Sequence, residues 1–371
     1  MITINRKLGI VITIILLGSL ITPPGALAQT TPSTDYKTII NGSKQEKGLT
    51  VYSVMGSDNW APLLKAFKAK YPWIKVQTDD LDAVEVVDRY LSEVSDGLPT
   101  ADLLVTTAED AWGDVDAAGE ILPYTSIEDA HLPDWAKLTP NIYTVSSDPM
   151  VLIWNKKAVP NPPNSLQALA DMIKADPAAY AGKLNTYDAR KNETGLESFW
   201  FWTEKMGEDG WTILDTLGST QIVPETSASD MVDSVLSGET NIGFFVSAIS
   251  VLPRLAKAPD LGWSMIADGT PVINREMAIT KHGTSPNSAK LLLDFILSAD
   301  GQIAFSQGGL TAYRDDIVDK AKTHLDTLEQ SVGADNMIYF EIEPRLSDPD
   351  IQAQFLERWQ QAFNLPSNSG N

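Results

Sequence analysis

The sequence predicts an α/β protein of two lobes, with two mainly parallel mixed sheets joined by two crossing strands. Three observations predict it. Between Leu49 and Ala118 strand-type and helix-type segments alternate three times, the mark of a layered α/β domain with a mainly parallel sheet. Tyr143–Asn155 (YTVSSDPMVLIWN) is a long extended run, broken at Ser146-Ser147-Asp148-Pro149, with the reach to leave one lobe and enter another. Pro271–Thr280 (PVINREMAIT) is a second such run and is placed to return the chain.

In chain order, Tyr36–Glu46 reads as an entry helix. Leu49–Tyr52 is a short buried strand of β-branched, aromatic and aliphatic residues. Ser53–Asn59 is a small, polar turn in which Gly56 has conformational freedom. Ser57 or Asp58 then caps a helix whose Leu63, Leu64, Phe67 and Tyr71 share one face. Ile74–Gln77 reads as a strand, Asp82–Val94 as a helix with Val86, Val87, Tyr90, Leu91 and Val94 inward, and Ala101–Val105 as a buried strand. Asp110–Ala118 is the third helix. After the first crossing run, Ser165–Ile173 is helical, Lys183–Thr186 a strand and Tyr187–Thr194 a polar loop. Leu196–Met206 is an aromatic-rich helix, Ala228–Leu236 another, and Asn241–Val246 a strand. The second crossing run leads to helices at Ser285–Leu297 and Gly301–Gln307, and the last helix is Asp348–Asn364. The expected division is residues 36–146 with 271–371 in one lobe and 147–270 in the other.

Residues 1–28 read as an export signal to be cleaved after Ala28: Arg6 and Lys7, an apolar run Leu8–Ile21, then Ala26-Leu27-Ala28. Residues 29–35 read as a flexible Thr/Pro/Ser leader. The apolar run is short for a membrane span, so a periplasmic chain without direct membrane insertion is expected. There is no cysteine, which excludes disulfides, thiolate metal sites, a cysteine nucleophile and a lipidated N-terminal cysteine. Roughly 340 mature residues bury about 75% of their unfolded surface, enough for two domains. The net charge of −21 argues against nucleic acid or an anionic membrane as partner, since both reward clustered Lys and Arg. It does not forbid an anionic ligand, because a cleft follows its own local charges and dipoles.

Two lobes joined by crossing strands leave a cleft, and the polar turns face it. Ligand bridging both lobes then favours a closed form. For an enzyme the sequence offers little. It has no G-x-S-x-G elbow, H-E-x-x-H, P-loop or G-x-G-x-x-G, although paired carboxylates stay open without geometry. No cofactor is expected.

With these segments in view the chain resembles the type 2 periplasmic solute-binding proteins of ABC importers, and is most similar to the branch of iron(III)-, thiamine-, polyamine- and sugar-phosphate-binding receptors. The carriers are SKQEKGLTVYS, LPTADLLVTTAE, MVLIWNKKAVPNPPNSLQALAD, VLSGETNIGFF, DGTPVINREMAIT and PNSAKLLLDFILSADGQIAFSQGGLTAYRDDI, specific in their order and spacing. The resemblance implies a monomeric receptor that passes a small solute to a membrane permease. It departs in one place. Iron-binding members carry adjacent tyrosines shortly after the segment matching SGETNIG, where this chain has Phe244, Phe245, Val246, Ser247, Ala248 and Ile249. Ferric iron favours oxygen donors, and His131, His282 and His324 show no ligand spacing, so no metal site is expected.

Arg190, in NTYDARKNETG, is the sharpest candidate. With Thr194 and Gly195 at a helix N-terminus, backbone N–H groups and a guanidinium would converge on an anion. The competing reading is a surface arginine paired with Asp188 or Glu193. Tyr187 either contacts ligand or packs a lobe. Ser53, Ser57, Thr106 and Thr107 end strands or open helices on the cleft side, with plain capping as the alternative. Ser147 lies on the crossover, and Ser247 stands in the region of the iron-type tyrosines. Trp200, Trp202 and Trp211 wall a pocket or, more commonly for such spacing, fill a core. Asp110, Asp114 and Asp116 lack the glycine and closing glutamate of a calcium loop. The solute expected is a small anionic organic molecule such as a phosphate ester. The alternatives are a polyamine (kept open by Glu109 and Asp148), a metal complex, or an exported α/β enzyme.

Overall fold

The computed structural model describes residues 36–341 and 343–366; the export signal and leader expected at 1–35 lie outside them. The strands are β1 (Leu49–Ser53), β2 (Val76–Asp80), β3 (Leu103–Thr106), β4 (Lys137–Thr139), β5 (Ile142–Asn155), β6 (Leu184–Tyr187), β7 (Val223–Glu225), β8 (Ile242–Ser247), β9 (Leu261–Ser264), β10 (Thr270–Ile279) and β11 (Met337–Tyr339). Helices α1 (Tyr36–Ser43), α2 (Ser57–Lys70), α3 (Ala83–Ser95) and α4 (Glu109–Ala117) alternate with the first three strands. Between β5 and β9 come α5 (Leu166–Ala175), α6 (Pro177–Tyr180), α7 (Glu193–Gly218), α8 (Ala228–Ser237) and α9 (Ala248–Val251). After β10 come α10 (Pro286–Leu297), α11 (Ala299–Gln307), α12 (Leu325–Val332) and α13 (Pro349–Ala362).

The strands follow one path, β2-β1-β3-β10-β5-β8-β6-β7, with β11 on β10 and β4 and β9 on β5. β1 runs parallel to β2 and β3, and β6 runs parallel to β7 and β8. Every antiparallel pairing involves β5 or β10. The first half of β5 pairs with β10, from Tyr143 opposite Met277 to Pro149 opposite Val272, and its second half pairs with β8 and β9. The two long runs are therefore crossing strands that join a β1–β3 sheet to a β6–β8 sheet, in a mixed α/β fold. Parallel pairing needs helical crossovers, which the α/β alternation on each side supplies.

Packing explains why the helices sit where they do. Along α2, Trp60, Leu63 and Phe67 are buried at the i, i+3, i+7 spacing of one face. Trp60 meets Phe305 edge-on at 5.2 Å and Phe67 lies 5.5 Å from Phe295, which fixes α2 against α10 and α11. The α7 helix is longer than its sequence suggests. Gly207, at φ 60°, kinks it, and the helix resumes to Gly218. Phe199 of α7 contacts Phe244, Phe245, Trp359 and Phe363, so α7, β8 and α13 share one aromatic core.

Candidate functional site

A cleft of about 850 Å³ opens between the ends of the two parallel sets, within the volume range of small-molecule sites. Strand ends feed it from both sides, and its lining includes the first turns of α2, α3, α7 and α8. Three of these carry side-chain caps. Asp82 and Glu85 form a capping box on α3, Asn192 accepts from Gly195 N at 2.8 Å on α7, and Ser227 accepts from Asp230 N at 3.1 Å on α8. The α2 start has no side-chain cap. It faces a carboxylate instead, since a Cβ added at Gly56 would stand 3.3 Å from Asp80 Oδ2.

Four buried residues from different elements belong to the cleft lining: Arg275 of β10, Tyr187 at the end of β6, Ser247 at the end of β8, and Thr107 after β3. Arg275 is 4% exposed and Ser247 6%. The Arg275 Nε and the Ser247 Oγ have no hydrogen-bond partner among the described residues. Burying donors without partners is costly; both residues belong to the cleft lining although these two atoms are themselves buried, which makes them candidates for a ligand that reaches them when the lining shifts. One edge of the Arg275 guanidinium is already used, because it donates to Asp148 Oδ2. Asp148 also accepts from Ser146 Oγ at 2.5 Å and from Thr311 N at 2.8 Å. Burial pushes the Tyr187 phenol up, offset in part by Arg275 and the Ser247 N–H, so it is a neutral hydrogen-bonding group at any working pH.

The structure brings together only some of the residues that the sequence singles out. Ser57, Thr107, Tyr187, Thr194 and Ser247 line the cleft. Ser53 does not: its hydroxyl accepts from Trp60 Nε1 at 2.9 Å and from Met55 N at 3.2 Å, tying β1 to α2. Thr106 is likewise spent, donating to Ala83 O at 2.7 Å and accepting from Ala108 N. Ser147 is fully buried on β5, its Oγ unpartnered among the described residues, and does not line the cleft. Gly195 lies behind Tyr187, where a Cβ would come within 2.5 Å of Tyr187 Cβ.

Arg190 departs furthest from expectation. Its Nε and Nη2 donate to the two carboxylate oxygens of Asp188 at 2.7 and 2.6 Å, and its guanidinium stands 5.8 Å from the Trp359 ring. It lines a separate cavity of about 390 Å³ with Glu341 and Glu343, not the cleft. The competing reading, a pairing with Asp188, is the one the geometry follows. A carboxylate two residues away reaches the guanidinium before any ligand does. Trp200, Trp202 and Trp211 also stay out of the cleft lining. Phe244 and Phe245 are fully buried in the aromatic core. The side chains of Glu109 and Asp110 lie outside the described residues.

Arg275 was the missed residue. Its signal is present in PVINREMAIT, where Asn274, Arg275 and Glu276 interrupt a largely apolar crossing strand. A charge buried in a central strand needs a partner or a ligand.

A family model described as bacterial extracellular solute-binding protein matches residues 62–328. Among solved structures the chain is similar to a substrate binding protein of the ABC transporter from Agrobacterium tumefaciens, with a TM-score of 0.76 at 21% identity over 88% of this chain and 96% of that one. It is also similar to the periplasmic binding protein AfuA from Actinobacillus pleuropneumoniae, solved with fructose-6-phosphate bound, with a TM-score of 0.62 at 17% identity over 86% and 99% of the two chains. A periplasmic thiamin binding protein gives a TM-score of 0.62 at 19% identity over 85% and 96%. At these identities the structures share the fold. No curated protein matches the chain by sequence.

Proposed function

This chain belongs to the bacterial extracellular solute-binding proteins, and we propose that it is the receptor of an ABC importer that captures a small solute through an acidic group. It is a receptor and not an enzyme. The observation that carries the ligand class is Arg275: a buried guanidinium of the cleft lining whose Nε, like the Ser247 hydroxyl, has no partner among the described residues, with the neutral Tyr187 in the same lining. A carboxylate or phosphate would accept from these donors, and the first turns of α7 and α8 add favourable dipoles. Among the receptors of similar fold, AfuA was solved with a phosphorylated sugar, which fits this chemistry.

Closure follows from the crossing strands. Taking residues 36–146 and 271–371 as one lobe and 147–270 as the other, β5 and β10 are the hinge, since each changes partners along its length. A solute touching Thr107 on one side and Tyr187 and Ser247 on the other would favour the closed form by its differential affinity. Residues 1–28 serve as the export signal, and the mature monomer delivers its solute to a membrane permease. None of the described helices is long and apolar enough to cross a membrane.

The polyamine alternative loses its Asp148, whose oxygens are taken by Ser146, Arg275 and Thr311. A thermal-shift series with ethyl phosphate, propionate and putrescine tests the class. Stabilisation follows RT ln(1 + [L]/Kd), about 2.7 kcal/mol at ~100 Kd. Upward shifts are expected with the acids. A shift with putrescine and none with either acid would overturn the reading.

A further inference from the structure

The charges lining the cleft are segregated by wall. On the side of β1–β3 they are Asp58, Asp80, Asp82 and Glu85, with no lysine or arginine among the described residues. On the floor and the side of β6–β8 they are Lys191, Glu193, Arg254 and Arg275. Several are engaged already. Lys257 approaches Asp58 at 3.8 Å, Arg254 pairs with Asp233 at 2.6 Å, Lys191 stands 3.9 Å from Asp188, and Asp82 and Glu85 cap α3. Glu193 is engaged as well, which leaves two groups. Asp80 is solvent-exposed, with neither a hydrogen-bond donor side chain nor a cation against it among the described residues, and its nearest ionisable influence is the like charge of Asp82. Arg275 keeps its free, buried Nε.

We propose that the cleft takes a dipolar solute, with its acidic group at Arg275, Tyr187 and Ser247 and an ammonium or protonated ring nitrogen at Asp80. The proposal rests on the acid-binding reading above and deepens it. When the cleft closes and water leaves, Asp80 is held against Asp82 at a lower dielectric, where like charges repel more strongly. A ligand hydroxyl supplies a hydrogen bond to that carboxylate but leaves its charge unpaired. A cation supplies both. A purely anionic solute would bring more negative charge to Asp80, and a purely cationic one would set positive charge against Arg275. Only a molecule with both ends matches both walls. The α2 dipole does not change this, because it is a partial charge acting on a full one.

The test is isothermal titration of the full chain and of Asp80→Asn with two matched pairs of probes. These are 2-aminoethyl phosphate against ethyl phosphate, and β-alanine against propionate, each pair the same acid with and without an ammonium. For at least one acid type, the ammonium-bearing member is expected to bind the unaltered chain about tenfold to a hundredfold tighter. Asp80→Asn should remove most of that ratio while leaving the plain acid bound as well or better. Equal affinity within each pair overturns the dipolar proposal and leaves the acid-binding reading standing. So does a ratio that survives Asp80→Asn, or a variant that weakens both members equally, as it would if Asp80 acted only in drawing the walls together. Binding of ethane-1,2-diamine with no binding of any acid, or of no probe at all, overturns both readings. Circular dichroism of Asp80→Asn confirms that the variant is folded before titration.

Discussion

Asp148 accepts from Nη1 of Arg275, whose Nε has no partner among the described residues. The two residues sit on the crossing strands, Asp148 opposite Ile273 and Arg275 opposite Ser146, one pleat apart. This places a fixed donor at the junction of the two sheets. The carboxylate orients the guanidinium, and Ser146 and Thr311 fix the carboxylate.

Because the pair is buried, removing one member exposes the cost of the other. Arg275→Ala is expected to destabilise the fold by about 3–5 kcal/mol, since Asp148 is then an uncompensated buried charge. Asp148→Asn combined with Arg275→Gln should recover most of that loss in urea denaturation, because two amides replace two charges. A double variant no more stable than Arg275→Ala would mean that the pair is not what holds this junction.

Arg190→Ala is expected to leave cleft affinity within roughly threefold, a difference below 1 kcal/mol. Its guanidinium serves Asp188 and a separate cavity. Stability should fall by about 1–3 kcal/mol, as the nearly buried Asp188 loses its charged donors. Titration and denaturation of the same variant separate the two effects. A large loss of affinity with stability intact would return Arg190 to the ligand site.

Gly195→Ala tests how Tyr187 is positioned. The added Cβ would lie 2.5 Å from Tyr187 Cβ, a contact that forces the tyrosine or the first turn of α7 to move. Ligand affinity is expected to fall by about tenfold or more, as an overpacked site costs typically 1–3 kcal/mol. Unchanged affinity would show that Tyr187 is not held for the ligand.

Glu46 gives a pH dependence. Burial alone would push its carboxyl up, but hydrogen bonds from Ser288 Oγ and N, and from Asn287 N and Nδ2, hold it below the usual range. A carboxylate with a lowered folded pKa contributes stability above its unfolded pKa of about 4.3 and loses it as pH falls through the folded value. Glu46→Gln should therefore cost about 1–3 kcal/mol near pH 7. The difference from the unaltered chain should shrink toward zero below about pH 4. A difference that stays constant across that window would show that the ionised form has no special role at the α10 start.

Much of the fold was legible because each segment's pattern agreed with its neighbours. Leu63, Phe67 and Tyr71 repeat at helical spacing and are buried, and the two extended runs did become the crossing strands β5 and β10. The α7 extension was not legible, because Gly207 reads as a stop and acts as a kink. Short strands such as β7 and β9 carry too few residues to show a period. The site was legible only in part, for a different reason. Polar residues at strand ends have the same sequence signature whether they face a cavity or tie neighbouring elements together. Ser53 and Trp60 illustrate the second outcome, and Ser247 the first. Arg190 precedes a helix start, where a cation reads as part of an anion site, yet Asp188 two residues away has prior claim on it. Arg275 is not legible in this way, because a charge inside a long extended run carries no turn or helix-start signature.

The central claim is that Arg275 receives the acidic group of the solute, and the most direct measurement is the affinity of 2-aminoethyl phosphate for the unaltered chain and for the Asp148→Asn, Arg275→Gln double variant. The double variant keeps the buried junction neutral, so lost binding is not lost folding. The account predicts a Kd raised by about tenfold to a hundredfold, the worth of one charge-assisted hydrogen bond of roughly 1.5–3 kcal/mol. An unchanged Kd in a folded double variant would contradict it.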